Sequence, residues 1–261
     1  MVSGVAIASN GKIYEVQRGP KSAPVLVLDA HGHVLRSWGE LGAGQYTVPH
    51  SIRLDPEGNV WTVDAATSRI VKYSPSGRRL MSIDVGGQPD NGSVFDGTTD
   101  IAFGPVGRIF IADGYGNARV LEYTRAGKKV GEWGRRGAGP GEMNLPHSVQ
   151  IEAGTLYVAD RENGRIEEFD LTGHYVGQIP NLGRVYSIKV SGGVIWASMG
   201  PFDREPGAAG GWVLKLDRRS GRILGHIDIA EPGAGHALDV TPSGEPVITQ
   251  GDGLLWFRAD R

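Results

Sequence analysis

The chain has 261 residues, with 27 Lys and Arg against 29 Asp and Glu, a formal net charge of −2 and no cysteine. Disulfide frameworks, thiol chemistry and Cys-ligated zinc or iron–sulfur centres are therefore excluded, and the balanced charge with a pI near 6.4 argues against a dedicated nucleic-acid or anionic-membrane binder. Glycine is the outlier at 41 residues beside 15 prolines; with 39% of the chain hydrophobic, that composition fits many short elements joined by tight turns rather than disorder.

Met1–Asn10 has neither a basic start nor a long apolar stretch, and no run approaches the roughly 18–20 apolar residues of a membrane helix. The chain as written is expected to be cytoplasmic, although a processed secreted form would read the same way. Its first recognisable element is a polar turn with glycine leading into a β-branched and aromatic strand, Asn10-Gly11-Lys12-Ile13-Tyr14. The pattern returns at Glu57-Gly58-Asn59-Val60-Trp61, Val106-Gly107-Arg108-Ile109-Phe110, Ala153-Gly154-Thr155-Leu156-Tyr157, Gly192-Gly193-Val194-Ile195-Trp196 and Ser243-Gly244-Glu245-Pro246-Val247. A second glycine turn follows in most copies, at Gly32, Gly77, Gly127, Gly173 and Gly221, between an apolar strand such as Val25–Leu28 or Val120–Tyr123 and another such as Val34–Trp38.

Each copy thus reads strand–turn–strand–loop–strand–turn–strand, and no 3.6-residue periodicity competes. The first-turn glycines are spaced 47, 49, 47, 39 and 51 residues apart. Six such meanders, none able to bury both faces alone, predict an all-β, six-bladed β-propeller, a fold whose period a β-sandwich would not need. The blades are expected near 4–39, 50–86, 99–134, 147–179, 186–229 and 236–261, in one domain over 1–261, with the last blade short of a fourth strand. Asp64…Arg69-Ile70, Asp113…Arg119-Val120 and Asp160…Arg165-Ile166 recur at one repeat position and read as turn-stabilising scaffold.

A meander reverses at every turn, so the glycine turns open on one face of the ring and the links between blades open on the other. Two links on that second face are Gly-rich, Trp38 to Gly44 and Trp133 to Gly141, and each runs into Pro-His-Ser, at Pro49-His50-Ser51 and Pro146-His147-Ser148. They lack the Lys-Ser/Thr ending of a phosphate loop and lead into strands, so they read as crossovers. His236 opens the last blade in the same way, while the equivalent places in blades three and five hold Asp100 and Tyr186. Alternate blades of a six-fold ring stand about 120° apart, so His50, His147 and His236 are expected to converge from three directions as an open metal site. Zinc suits it best, and imidazole also suits copper, iron and nickel. His31, His33, His174 and His226 fall near outer turns or strands, away from this mouth.

Arg18, Tyr115 and Arg161 reach the same mouth by topology. An arginine beside a metal suits a carboxylate, and a surface role for Arg18 is equally open. A tyrosine beside a cation should have a lowered pKa, fitting it as a base.

The segments Ala112 to Val120, Trp133-Gly134, Leu145-Pro146-His147-Ser148 and Val158 to Ile166, together with Gln17-Arg18-Gly19, Val48 to Ile52, Gly200-Pro201-Phe202-Asp203 and Gly235-His236, closely resemble the peptidyl-α-hydroxyglycine α-amidating lyases, six-bladed propellers of the NHL-repeat type. The resemblance implies that His50, His147 and His236 bind zinc, that Tyr115 is the base, and that Arg18 and Arg161 lie at the substrate site. It implies cleavage of an α-hydroxyglycine C–N bond to an amide and glyoxylate. Departures are Ala234 in place of a Met, Ala237 in place of an acidic residue that helps a structural calcium, and no cysteines, and the sequence as given leads to the expectation of no attached hydroxylating domain. Calcium is accordingly left open. The expected activity is a zinc-dependent lyase of N-(α-hydroxyalkyl) amides, monomeric, with a small or peptide-derived α-hydroxy amide as its partner. The alternatives are a metal-dependent hydrolase using the same histidines, or a non-catalytic NHL-type binding module.

Overall fold

The six glycines that set the repeat take positive φ, from +76° at Gly107 to +89° at Gly244, and each closes a tight turn that side-chain-bearing residues enter only with strain. A computed structural model of the protein describes residues 1–42, 45–89, 92–200, 210–230 and 235–258. Ala43 and Gly44 of the first Gly-rich link, Pro201-Phe202-Asp203, Ala234 and Arg261 lie outside the described residues.

The described strands form six antiparallel sheets in chain order. Blade 1 is β1 (Val2–Ile7), β2 (Ile13–Gln17), β3 (Val25–Leu28) and β4 (Val34–Trp38); blade 2 is β5 (Pro49–Leu54), β6 (Val60–Asp64), β7 (Arg69–Tyr73) and β8 (Arg79–Asp84). Blade 3 is β9 (Asp100–Phe103), β10 (Ile109–Asp113), β11 (Arg119–Tyr123) and β12 (Lys129–Trp133); blade 4 is β13 (Pro146–Glu152), β14 (Thr155–Asp160), β15 (Arg165–Asp170) and β16 (Tyr175–Ile179). Blade 5 is β17 (Arg184–Ser191), β18 (Val194–Gly200), β19 (Gly211–Asp217) and β20 (Ile223–Ile229). Blade 6 has three strands, β21 (Leu238–Val240), β22 (Pro246–Gln250) and β23 (Gly253–Trp256). The protein is a six-bladed β-propeller.

Burial falls from the axis outward. β2, β6 and β10 are buried at every position, whereas β4 is exposed at four of its five. Apolar side chains fill each seam between neighbouring blades, as with Val16, Tyr46 and Tyr73 between blades 1 and 2, or Ile166, Val185 and Ile195 between blades 4 and 5. The ring closes where Val2 N–H donates to Gly251 O (2.7 Å) and Ile7 N–H donates to Asp239 Oδ2 (2.7 Å).

The recurrent aspartates are scaffold. Asp64 accepts from the backbone of Thr47 and Val48 ahead of His50, and from Thr67. Asp113 holds Arg119 at 2.7 Å, and Asp160 holds Arg165 at 2.9 Å. Arg165 then donates to Ala138 O, Gly139 O and Glu142 O, pinning the second Gly-rich link as a crossover. Arg69 departs from its repeat partners by pairing with Asp84.

The outer turns lock neighbouring blades. A Cβ built on Gly77, at φ +87°, would lie 2.9 Å from the Trp38 ring of blade 1, while one on Gly58, at φ +79°, would meet nothing within 4 Å. Gly58→Ala should therefore cost only backbone strain, of order 1 kcal/mol. Gly77→Ala must also displace an indole, and should cost about 2 kcal/mol or more. Thermal denaturation of the two variants side by side checks the difference, and equal melting temperatures would contradict it.

Candidate metal centre

β5 and β13 each begin with Pro-His-Ser, and their pairing with β6 and β14 slips between Pro49 and Ser51 and between Pro146 and Ser148. Each slip leaves the histidine as the extra residue of a bulge, which re-aims its side chain. The same slip occurs around Ser3 in β1 and Tyr186 in β17, and His236 directly precedes Ala237 and β21. The three imidazoles consequently meet at the axis, with ring centroids 4.9 Å (His50–His147), 4.7 Å (His50–His236) and 5.0 Å (His147–His236) apart. Their candidate ligand nitrogens lie within 4.8 Å of one another.

The ring beyond each histidine decides its tautomer. Nδ1–H of His50 donates to Thr99 O (2.7 Å), that of His147 to Tyr186 O (2.6 Å) and that of His236 to Ser3 O (2.8 Å). A carbonyl only accepts, so each Nδ1 carries the proton and each Nε2 turns a lone pair toward the axis. Burial, then the neighbouring imidazoles and arginines, holds all three well toward the neutral form, with His236 pushed down to about 3. Three neutral, oriented imidazole donors with no fourth protein ligand among the described residues fit an open transition-metal site.

Tyr115 stands over this triangle, its hydroxyl 2.9 Å from His50 Nε2 and 3.2 Å from His147 Nε2. Its loop threads between backbone carbonyls: a Cβ on Gly114 would collide with Pro146 O and one on Gly116 with Asp96 O, so only glycine serves on either side. The chain's own groups act on its pKa in opposite directions, and a cation on the histidines would add to the lowering. Burial raises it and outweighs the pull of Arg161 and Arg18.

Arg18, directly after β2, donates Nε–H to Pro49 O (2.8 Å) and lies 5.2 Å from the Phe95 ring centre. Its buried Nη2 has no hydrogen-bond partner among the described residues, a cost that an incoming anion would relieve. Gln17 fixes the loop beyond it through Gly19 O, Ser22 O and Ala23 O. Arg161, in the turn after β14, lies 5.8 Å from the Tyr115 ring centre and 5.4 Å from that of Tyr186. All six residues expected at the site are thus brought to one mouth, with the two guanidinium groups on blades 1 and 4.

Blade 3 differs from expectation by one residue. Asp100 pairs with Ala112 as Ser148 pairs with Ala159, so Thr99, not Asp100, occupies the place of a histidine. Asp100 instead points along the channel behind the triad, where it accepts from Arg53 Nε (2.9 Å) and Ser148 Oγ (2.9 Å). Asp239 is likewise taken by Lys189 Nζ (2.7 Å) and the Ile7 amide, and Ala237 contributes only a methyl group. A calcium ion needs six to eight oxygens, and both of these channel carboxylates are already neutralised, so calcium does not fit there. Phe95 and Arg184 border the mouth without any repeat or motif having marked them, and Glu162 joins them from within the Val158 to Ile166 segment.

A protein family described as a 6-bladed beta-propeller matches residues 99–183. The peptidylglycine alpha-amidating monooxygenase of Rattus norvegicus is 32% identical over 249 residues, covering 87% of this chain and 24% of that protein. The peptidyl-alpha-hydroxyglycine alpha-amidating lyase 2 of Drosophila melanogaster is 31% identical over 231 residues, covering 82% of this chain and 54% of that protein. The chain therefore spans about a quarter to a half of the length of these relatives. A solved structure of streptogramin B lyase superposes with a TM-score of 0.65 at 17% identity, covering 100% of this chain and 83% of the other, a likeness of fold.

Proposed function

Because the chain belongs to the peptidyl-α-hydroxyglycine α-amidating lyase family, we propose that it is a zinc-dependent carbon–nitrogen lyase of N-(α-hydroxyalkyl) amides. A peptidyl-α-hydroxyglycine is the model substrate, and an amide and glyoxylate are the products. The observation that carries this reading is the convergence of three neutral Nε2 donors under a tyrosine hydroxyl, flanked by two arginines.

His50, His147 and His236 would hold the ion, whose contribution when bound is Lewis-acid polarisation of a substrate oxygen. Tyr115, within hydrogen-bond distance of two of these histidines, would accept the proton of the substrate hydroxyl as its phenolate, the form that Arg161, Arg18 and a cation held by the histidines favour against burial. The O–H electron pair becomes the new C=O bond as the C–N bond breaks, and the departing amide nitrogen takes up a proton. No water is consumed, so the step is an elimination. Arg18, with its unsatisfied Nη2, and Arg161 hold the carboxylate of the glyoxylate half.

The test is N-benzoyl-α-hydroxyglycine supplied to zinc-loaded protein. Benzamide and glyoxylate in equal amounts are expected. Benzoate would assign a hydrolase, and an inert substrate beside stoichiometric zinc would sink the lyase reading for acids of this kind.

A further inference from the structure

Arg161 sits on a single 3-10 turn, Arg161–Asn163, between β14 and β15, a short support for a long, rotor-rich side chain. Its neighbour Glu162 restrains it. Glu162 Oε1 accepts from Arg161 Nε (2.9 Å) and Nη2 (2.8 Å), while Oε2 accepts from Nε (2.9 Å) and Nη2 (2.9 Å) of Arg184, which opens β17 in the next blade. One carboxylate thus joins two guanidinium groups across the seam between blades 4 and 5. The three side chains are 15%, 21% and 22% exposed, so the network is partly shielded from solvent rather than a loose surface pair. Glu162 engages Arg161 through its Nε edge and does not use the Nη1 edge, the other side from which a planar guanidinium can grip a carboxylate. It also keeps two like charges from repelling each other.

We propose that Glu162 is a positioning residue: clamped from behind by Arg184, it aims Arg161 at the carboxylate of the substrate's α-hydroxy acid half. This rests on the lyase reading for the identity of that carboxylate. It predicts that discrimination between a carboxylate and its neutral amide depends on a residue that touches neither.

The probes are N-benzoylglycine and its carboxamide, titrated calorimetrically into zinc-loaded protein, with KM and kcat measured on N-benzoyl-α-hydroxyglycine. Wild-type protein should bind the carboxylate at least about tenfold more tightly than the carboxamide. Glu162→Gln should erase most of that ratio by weakening the carboxylate alone, and should raise KM with kcat changed by less than about threefold. Arg184→Gln should move the ratio in the same direction by a smaller factor, and Glu162→Asp should restore part of it. Zinc content measured alongside guards against a folding defect. Loss of zinc in both Gln variants would assign the network to the scaffold and overturn the proposal. An unchanged ratio in Glu162→Gln would overturn it while leaving the lyase reading intact. A wild-type protein indifferent to the carboxylate would overturn both.

Discussion

Tyr115→Phe is expected to lower kcat by about 10²- to 10⁴-fold, the range a positioned proton acceptor contributes, with zinc content unchanged. The separation follows from the geometry. The hydroxyl is 2.9 Å and 3.2 Å from two Nε2 atoms but is not itself one of the three nitrogen donors. Removing one oxygen also leaves the ring against His50, His147 and Phe95, at 5.2, 5.8 and 5.2 Å between centres, so the loop keeps its packing. Turnover by the wild-type protein and the variant, each with its zinc measured, decides the matter. Comparable kcat values would remove Tyr115 as the base.

His147→Ala should abolish stoichiometric zinc binding and reduce turnover by on the order of 10³-fold or more, since polarisation of a substrate oxygen is worth several kcal/mol. Two imidazoles leave the site short of the three protein ligands that an open catalytic zinc site uses. The loss should be local: His147 is the extra residue of a bulge, and its Nδ1–H donates to a single carbonyl, Tyr186 O. His31→Ala is the control, because His31 lies in an exposed outer turn and should retain both metal and activity. Elemental analysis of the purified variants checks this; full zinc occupancy in His147→Ala would contradict the three-histidine centre.

The repeat made much of this legible in advance. Glycines at a fixed period could be read because a left-handed turn is a local demand that few other residues meet. Counting from those turns was enough to put His50, His147 and His236 in alternate blades at one mouth. What escaped the reading was register and charge. Spacing alone points to Asp100 as the counterpart of the histidines although Thr99 is, because a one-residue slip in a strand start leaves no mark on composition and sends the side chain to the other side of the sheet. The burial that raises Tyr115 is a sum over surrounding chain that no local motif records. Glu162 stood in plain view inside Asp160-Arg161-Glu162-Asn163-Gly164-Arg165, but its partner Arg184 comes from another blade.

The amino-acid order by itself determined the number of blades, the three-stranded last blade and which mouth would gather the three histidines, since turns and alternation act over a few neighbouring residues. Only the closed ring decided that three imidazoles far apart along the chain share a centre. Their tautomers depend on carbonyls of Ser3, Thr99 and Tyr186 supplied by the intervening blades. A hydrogen-bond partner brought in from elsewhere in the chain exists only once the backbone has folded around it, and that is why the donor set could be named from residue positions while its readiness to bind could not.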